Sequence, residues 1–450
     1  MNQNIYDVIV IGGGASGLMA AGRAAEVLKA GGSTSGRSGH RVLLLEKNKK
    51  LGEKLKITGG GRCNITNAEY DVRELLKHYG DAGKFLFSIF EKFGVKDTFN
   101  FFESRGLPLV VEERKRAFPA THKALDVYGV LEKYVKENGV EIKVNSVVTK
   151  VNLQNDQVSV TNDQKAQIKS VICGSQEYFA KKFIFATGGA SHQETGSTGD
   201  GFNWLRDLGH TVVAPTPSVV PLAVADEWVK KLAGVSLEDM KITFFVDGVK
   251  AFVKKGRILF THFGLSGPLI LNSASKVSDL LRSGTVTAEI DLFPSEDLGK
   301  LNRRVIDIFD NNKNKILKNV LGEIVPVGMS KGILYLIENE FIVINGKGAE
   351  QAKIDLNKQV NSVTVEERKT LVHLLKALPV TITGLMGDDR AVVSDGGVSL
   401  EEIDMRTMQS KVVENLYVTG DLLHINRPSG GYSLQLCWTT GYVAGGEVAE

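Results

Sequence analysis

Four glycine-rich segments of this chain have the residue types and spacing to hold a phosphate-bearing ligand and to work beside it. The first is Gly12-Gly-Gly14-Ala15-Ser16-Gly17. In such a turn the first glycine permits a tight bend, the second lets an anion reach the backbone, and the third lets a helix close on the preceding strand. The helix N-terminus, with its leading N–H groups unpaired, then faces the phosphate charge. Taken alone, the pattern is also that of an ordinary Gly-rich loop. Glu46, followed by Lys47, adds to it, because an acid at the end of the next strand is placed to bind ribose hydroxyls. A carboxylate there disfavours a 2′-phosphate, so the expected ligand is FAD or NAD.

The second segment, Thr58-Gly-Gly60-Gly61-Arg62-Cys63-Asn64, suits a backbone pressed against a planar or anionic ligand. Arg62 is a candidate partner for phosphate or substrate charge. Cys63 is a candidate proton donor beside a flavin, against the plainer reading of a small packing residue, since its surroundings set a thiol's reactivity. The third segment, Ala186-Thr187-Gly188-Gly189 with Gly196-Ser-Thr-Gly199-Asp200-Gly201 just beyond, offers a second close approach of backbone to ligand. In the fourth, Asn415-Leu-Tyr-Val-Thr-Gly420-Asp421 reads as a strand ending in Gly-Asp, and Pro428-Ser-Gly430-Gly431-Tyr432-Ser433 opens an apolar helix. N–H groups at that helix start would stabilise negative charge on a ligand held there. His262, before Gly264-Leu-Ser-Gly-Pro268, and His424, shortly after Asp421, are candidate general acids, each against the reading of a loop imidazole bonded to backbone.

These segments need elements to position them. Tyr6–Ile11 is a short apolar run of the kind shown by a parallel strand buried on both faces. Leu18–Lys29 reads as a helix, residues 30–40 as a flexible surface loop, and Arg41–Glu46 as the second strand. The loop accounts for the long interval between Gly17 and Glu46. Phe183–Ala186 is the next clear strand, after helical stretches at Asp71–Lys92 and Leu125–Glu137 and strand-like segments near 140–172. From Pro215 to Phe293 the pattern turns to β, with Lys241–Val246 and Thr285–Ile290 the clearest strands. Residues 295–375 read as a separate, charged helical element. Its Lys300, Arg303, Arg304, Lys313, Lys315 and Lys318 form either a phosphate-binding face or, with Asp307, Asp310 and Glu323 interspersed, a solvated helix surface.

This order predicts an α/β chain: a Rossmann-like FAD-binding domain split by an inserted β-rich domain and a helical domain. The expected divisions are 1–210, 211–294, 295–378 and 379–450, the last with room for a short return strand of the β-rich domain. A length of 450 residues suits two or three domains. The 48 glycines cluster in the motifs, which excludes collagen and linker readings. With 55 basic and 52 acidic residues the net charge is +3, and nothing in it demands nucleic acid or a membrane. Cys63, Cys173 and Cys437 lie far apart, so no disulfide framework, zinc site or dithiol centre is expected. No apolar run approaches the roughly 20 residues of a membrane-spanning helix. No signal pattern opens the chain, so the cytoplasm is the default compartment.

The Ala-Thr-Gly turn at 186–188 and the Gly-Asp strand end resemble those of two-dinucleotide-binding flavoproteins. Thr58–Thr66, Arg116-Ala-Phe-Pro119, Phe260–Pro268, Gly396-Gly397-Val398 and Gly430-Gly431-Tyr432 together resemble, in order and over essentially the whole chain, the BaiN-like (YhiN-like) NAD(P)/FAD-dependent oxidoreductases. The resemblance implies non-covalent FAD, with Asp421 on its ribityl chain, the Gly430–Ser433 helix start at its pyrimidine edge, and Gly397 in the site. It also implies that NADH or NADPH reduces the flavin, which then reduces a carbon–carbon double bond. Activities linked to such proteins include reduction of a ribosomal RNA uridine to dihydrouridine and reduction of steroid intermediates. One departure stands out. Where the family shows Gly-Glu and an Asp-rich turn, this chain has Gly420-Asp421-Leu-Leu-His424-Ile-Asn426-Arg427-Pro428. Besides a double-bond reductase acting on a small molecule or RNA, two readings stay open: an amine oxidase-like enzyme returning electrons to oxygen, and a non-catalytic flavin-binding scaffold for structured RNA. Neither DNA nor a membrane is an expected partner, and the oligomeric state is left open.

Overall fold

A computed structural model of the chain describes residues 5–31, 41–154, 165–218, 220–339, 341–344, 347–351, 354–386 and 393–449. Most of the predicted 30–40 loop therefore lies outside the described residues. The rest divides into two compact units, Met1–Pro217 with Val392–Glu450, and Ser218–Ala391.

The first unit is built on a mixed sheet whose central strands are parallel. Strand β1 (Ile5–Ile11) lies between β2 (Val42–Leu45) and the strand Gln176–Phe185, with Ile9 opposite Leu43 on one side and Phe183 on the other. Glu141–Lys143 extends the sheet beyond β2, and Leu416–Val418 extends it beyond Gln176–Phe185. Val8, Ile9 and Val10 of β1 are buried, as a strand covered on both faces must be. One cover is helix α1 (Ala15–Ala30), against which the C-terminal helix Tyr432–Glu447 packs. Glycines allow the close approach: a Cβ at Gly441 would fall 2.4 Å from the Ser16 carbonyl oxygen, and one at Gly445 the same distance from that of Ala20. The helical stretch expected over 71–92 is broken in three. Asp71 caps Val72–Leu76 by accepting from the Arg73 and Glu74 N–H groups, a tight turn follows, and Gly80 (φ 54°, ψ −135°) ends it before Gly83–Lys92.

The second unit is a closed antiparallel barrel in the order Leu222–Val224, Gly264–Ser266, Val249–Thr261, Ser236–Val246, Val286–Asp291, Leu378–Leu385. Closure leaves no sheet edge unpaired. Helices Leu298–Asn311, Leu317–Ile324 and Val365–Lys376 share one apolar core with the barrel, Leu301, Val305 and Leu375 joining Ile242, Phe244 and Ile290. The β-rich and helical stretches read apart at 294/295 thus have a common core, because amphipathic helices of this length need a surface to cover. Within the stretch expected to be helical, Phe341–Ile344 pairs with Lys347–Gln351 as two strands. The β-branched run Ile342-Val343-Ile344 favours that outcome. Among the described residues, no helix is long and apolar enough to cross a membrane.

Candidate dinucleotide-binding and active site

At the β1–α1 turn two glycines are demanded by backbone crowding and one is not. A Cβ at Gly12 (φ +104°) would fall 2.5 Å from the Ala186 carbonyl oxygen, and one at Gly17 would fall 1.9 Å from that of Gly12. A Cβ at Gly14 would meet nothing within 4 Å. Gly14 is the N-cap of α1 and supplies no side chain to it, so the first-turn N–H groups at Ala15, Ser16 and Gly17 have no side-chain cap. Beside them Glu46 is 7% exposed. Its carboxylate accepts from the Gly13 N–H at 2.7 Å and the Asn48 N–H at 2.8 Å, one on each oxygen. Burial raises its pKa, with these two hydrogen bonds opposing the rise.

Thr187 lies in the facing turn, and its Oγ1 is buried with no hydrogen-bond partner. A buried hydroxyl left unpaired costs about 1–3 kcal/mol, so this atom, which lies against Gly201, needs a partner that the described residues do not supply. An open anion cradle, an acid at the adjoining strand end and an orphaned hydroxyl together fit FAD. Lys47 is otherwise engaged: its Nζ bonds to Thr198 Oγ1 at 2.5 Å and Asp200 at 2.8 Å, which draws the Gly196–Gly201 loop onto the end of β2. Gly188 (φ +74°) shapes the same turn.

Gly59, Gly60 and Gly61 all have positive φ, and a Cβ at Gly60 or Gly61 would meet nothing within 4 Å. Arg62 turns outward from this loop. Its guanidinium stacks on Phe118 at 4.3 Å and bonds Glu112 at 2.5 Å and His122 Nδ1 at 2.9 Å, so its charge is already matched. Cys63 is open to two readings, a proton donor or a packing residue. Its side chain lies in the apolar core and burial pushes its thiol up to about 12, an environment that favours the packing reading.

The C-terminal helix begins at Gly431 (φ +101°) with no side-chain cap. A Cβ at Gly431 would fall 2.3 Å from the Thr66 carbonyl carbon, so this turn rests backbone to backbone on the 66–67 strand. Asn67 Nδ2 donates to the Gly430 carbonyl at 3.3 Å. Tyr432 is buried, its ring stacked on His78 at 4.5 Å, and Ser433 Oγ accepts from Arg427 Nε at 3.1 Å. Asp421, next to Gly420, is paired with Arg427 and faces Lys54 at 3.8 Å. Gly397 serves packing: a Cβ there would fall 2.5 Å from the Leu422 carbonyl oxygen. His424 Nε2 lies 3.7 Å from Asp395, whose other oxygen accepts from Asn426 Nδ2 at 2.8 Å.

The glycine turns, Glu46, Asp421 and His424 all belong to the first unit; His262 belongs to the second, exposed at the tip of the hairpin Val249–Thr261/Gly264–Ser266. Among the six basic positions of the helical stretch, Arg304 pairs with Glu296, Lys313 with Asp310 and Lys315 with Glu323, while Lys318 bonds Asn357. That is the pattern of a solvated helix surface.

Sequence reading missed Lys54 and a buried serine–histidine–glutamate line. Ser410 Oγ lies 2.9 Å from His210 Nε2, and His210 Nδ1 lies 3.0 Å from Glu402. These are the distances of a nucleophilic triad. However, Ser410 Oγ also accepts from the Val412 and Val413 N–H groups and is 2% exposed, so its lone pairs are occupied and the line is structural. No local pattern signals three residues so far apart in the chain.

Residues 6–447 match the family described as HI0933-like protein Rossmann domain. The chain is 27% identical over 98% of its length, and 98% of the relative's, to a 3-dehydro-bile acid delta(4,6)-reductase of Clostridium scindens. It is 27% identical to a ribosomal RNA dihydrouridine synthase of Haemophilus influenzae, over 96% of each chain. The fold is similar to that of 3-ketosteroid delta1-dehydrogenase from Sterolibacterium denitrificans, with a TM-score of 0.51 at 12% identity over 99% of this chain and 100% of the other. The chain therefore belongs to the HI0933-like Rossmann-domain family, the group its motifs resemble, and is an FAD-dependent oxidoreductase.

Proposed function

We propose that the chain uses NADH or NADPH to reduce a carbon–carbon double bond conjugated to a carbonyl group, in the cytoplasm, where those reductants are supplied. The observation that carries the reading is the open, uncapped α1 start at Gly14 beside buried Glu46 and the unpartnered Thr187 hydroxyl. The relatives' names support the chemistry: a 3-dehydro-delta(4,6) acid and a uridine ring each carry a double bond in conjugation with a carbonyl.

Bound in this site, FAD would supply a two-electron carrier able to deliver hydride to the electron-poor carbon. The residues would do the rest. The N–H groups of α1 hold the pyrophosphate, Glu46 the ribose hydroxyls, and the uncapped start of the C-terminal helix offsets negative charge at the ring end. His424 protonates the neighbouring carbon, with Asp395 orienting its ring. The paired state of Arg304, Lys313, Lys315 and Lys318 supports a small-molecule substrate over an RNA held by that face. In the test, purified protein is reduced anaerobically with NADH or NADPH and then mixed with a conjugated enone. Rapid flavin reoxidation by the enone is expected. If the enone is inert while ribosomal RNA from cells lacking the protein has lost a dihydrouridine, the RNA reading replaces it; rapid peroxide production with oxygen alone would favour an oxidase.

A further inference from the structure

The turn from Gly420 to Pro428 holds a charge cluster with a buried arginine at its centre. Arg427's side chain is 1% exposed and is paired with Asp421. Its remaining donors reach the Ile425 carbonyl at 2.6 Å and Ser433 Oγ at 3.1 Å, so the guanidinium is held from three sides. Lys54, from the helix Glu53–Ile57, approaches the other oxygen of Asp421 at 3.8 Å and donates to buried Ser191 Oγ at 2.6 Å. The cluster adjoins the anion cradle. A Cβ at Gly420 would fall 2.8 Å from Ser16 Oγ in the first turn of α1, and the Gly420 N–H donates to Thr440 Oγ1 at 3.0 Å in the C-terminal helix.

Two cations share the Asp421 carboxylate; the carboxylate of Glu194, which also acts on Lys54, is exposed and screened by solvent, so the cluster itself carries an excess positive charge. Burial pulls the Lys54 ammonium below its ordinary value, and Asp421 opposes that pull. Charge fixed in a poorly solvated interior acts more strongly on its neighbours than the same charge in water.

We propose that Lys54 and Arg427 are positioning residues that occupy Asp421 and leave a net positive charge beside the cofactor, which stabilises its reduced, anionic form. This rests on the FAD reading above. Hydride from NAD(P)H brings two electrons and a proton; NAD(P)⁺ leaves, and the reduced flavin carries one more negative charge than the oxidised one. An excess cation lowers the cost of that charge and raises the reduction potential. If Asp421 instead serves chiefly as a free acceptor for a ribityl hydroxyl, removing either cation leaves the potential unchanged.

The test is the flavin midpoint potential of the holoprotein, with FAD occupancy measured separately by absorbance and by release on denaturation. Lys54→Gln removes the excess charge and is expected to weaken the preference for the reduced state about tenfold, a fall of roughly 30 mV for a two-electron couple. Asp421→Asn adds to the excess and is expected to shift the potential upward by a similar amount. The paired change Asp421→Asn with Arg427→Gln keeps the wild-type net charge and is expected to stay near the wild-type potential; Lys54→Arg is expected to do the same. In either variant with FAD still bound, no shift, or a shift of sign opposite to the one expected, overturns the proposal. Wild-type protein that never holds FAD overturns the functional reading instead. Because the two single changes act in opposite directions, either one that folds with FAD bound decides the matter.

Discussion

At the residue scale, Gly14 separates ligand binding from folding more cleanly than the other turn glycines. Its backbone (φ −81°, ψ −166°) is open to any residue and a Cβ there touches nothing, whereas Gly12 and Gly17 are locked by carbonyl oxygens. Gly14→Val is therefore expected to fold as well as the parent and to lose FAD, read as a colourless protein with an unchanged circular dichroism spectrum. Full flavin occupancy would remove the basis of the assignment. Glu46→Ala is expected to weaken FAD by about 1–3 kcal/mol, the usual cost of losing charge-assisted hydrogen bonds, as measured by titration of the apoprotein. For His424, His424→Gln is expected to slow substrate-dependent reoxidation by about 10²–10⁴-fold, the range for general acids, and to spare flavin reduction by NAD(P)H. Equal losses in both half-reactions would point to a structural role.

At the element scale, the Ser410–His210–Glu402 line ties the loop after the helix Asp200–Asp207 to the outer strands of the sheet. His210 is 4% exposed, and burial lowers its pKa from the ordinary 6.5. With Nδ1–H donated to Glu402, Nε2 must accept from the Ser410 hydroxyl, so the neutral ring is the one that fits. A histidine whose folded pKa is depressed binds fewer protons folded than unfolded. Its contribution to stability is thus full above the unfolded value near 6.5 and is lost as pH falls toward the folded value. Urea midpoints of the parent are expected to drop as pH is taken from about 7 to about 5, and that part of the drop is expected to vanish in His210→Gln. Parallel pH profiles for the two proteins would show that His210 does not carry it.

At the scale of the whole molecule, each unit has a core of its own. Phe260, fully buried in the barrel, lies far from the glycine turns in sequence and packs near Trp228, ring centroids 6.0 Å apart. Phe260→Ala is expected to cost the second unit about 3–5 kcal/mol. Melting followed by tryptophan fluorescence should then show an early transition while the FAD absorbance persists to the parent's temperature. Simultaneous loss of both signals would mean that the units unfold as one.

The nucleotide-binding turn was legible because its constraints are local. The apolar run of β1, the glycines after it and the acid following β2 belong to one βαβ unit, in which Gly12 and Gly17 leave no room for a side chain. The strand-then-glycine rhythm of the Ala186 and Asn415 segments was legible for the same reason. Tertiary structure decided what the polar side chains do. Arg62 offers its charge to Glu112 and His122, Cys63 sinks into the core, and Asp421 meets Arg427 from its own turn but Lys54 from the opposite end of the unit's sequence. It also decided that Leu378–Leu385 closes a barrel begun at Leu222, although the helices Leu298–Asn311, Leu317–Ile324, Ser330–Asn339 and Val365–Lys376 separate it from the preceding barrel strand, Val286–Asp291. A side chain's ionisation and reactivity follow from desolvation and from neighbours that the fold brings in from distant segments, and no spacing along the chain encodes those neighbours.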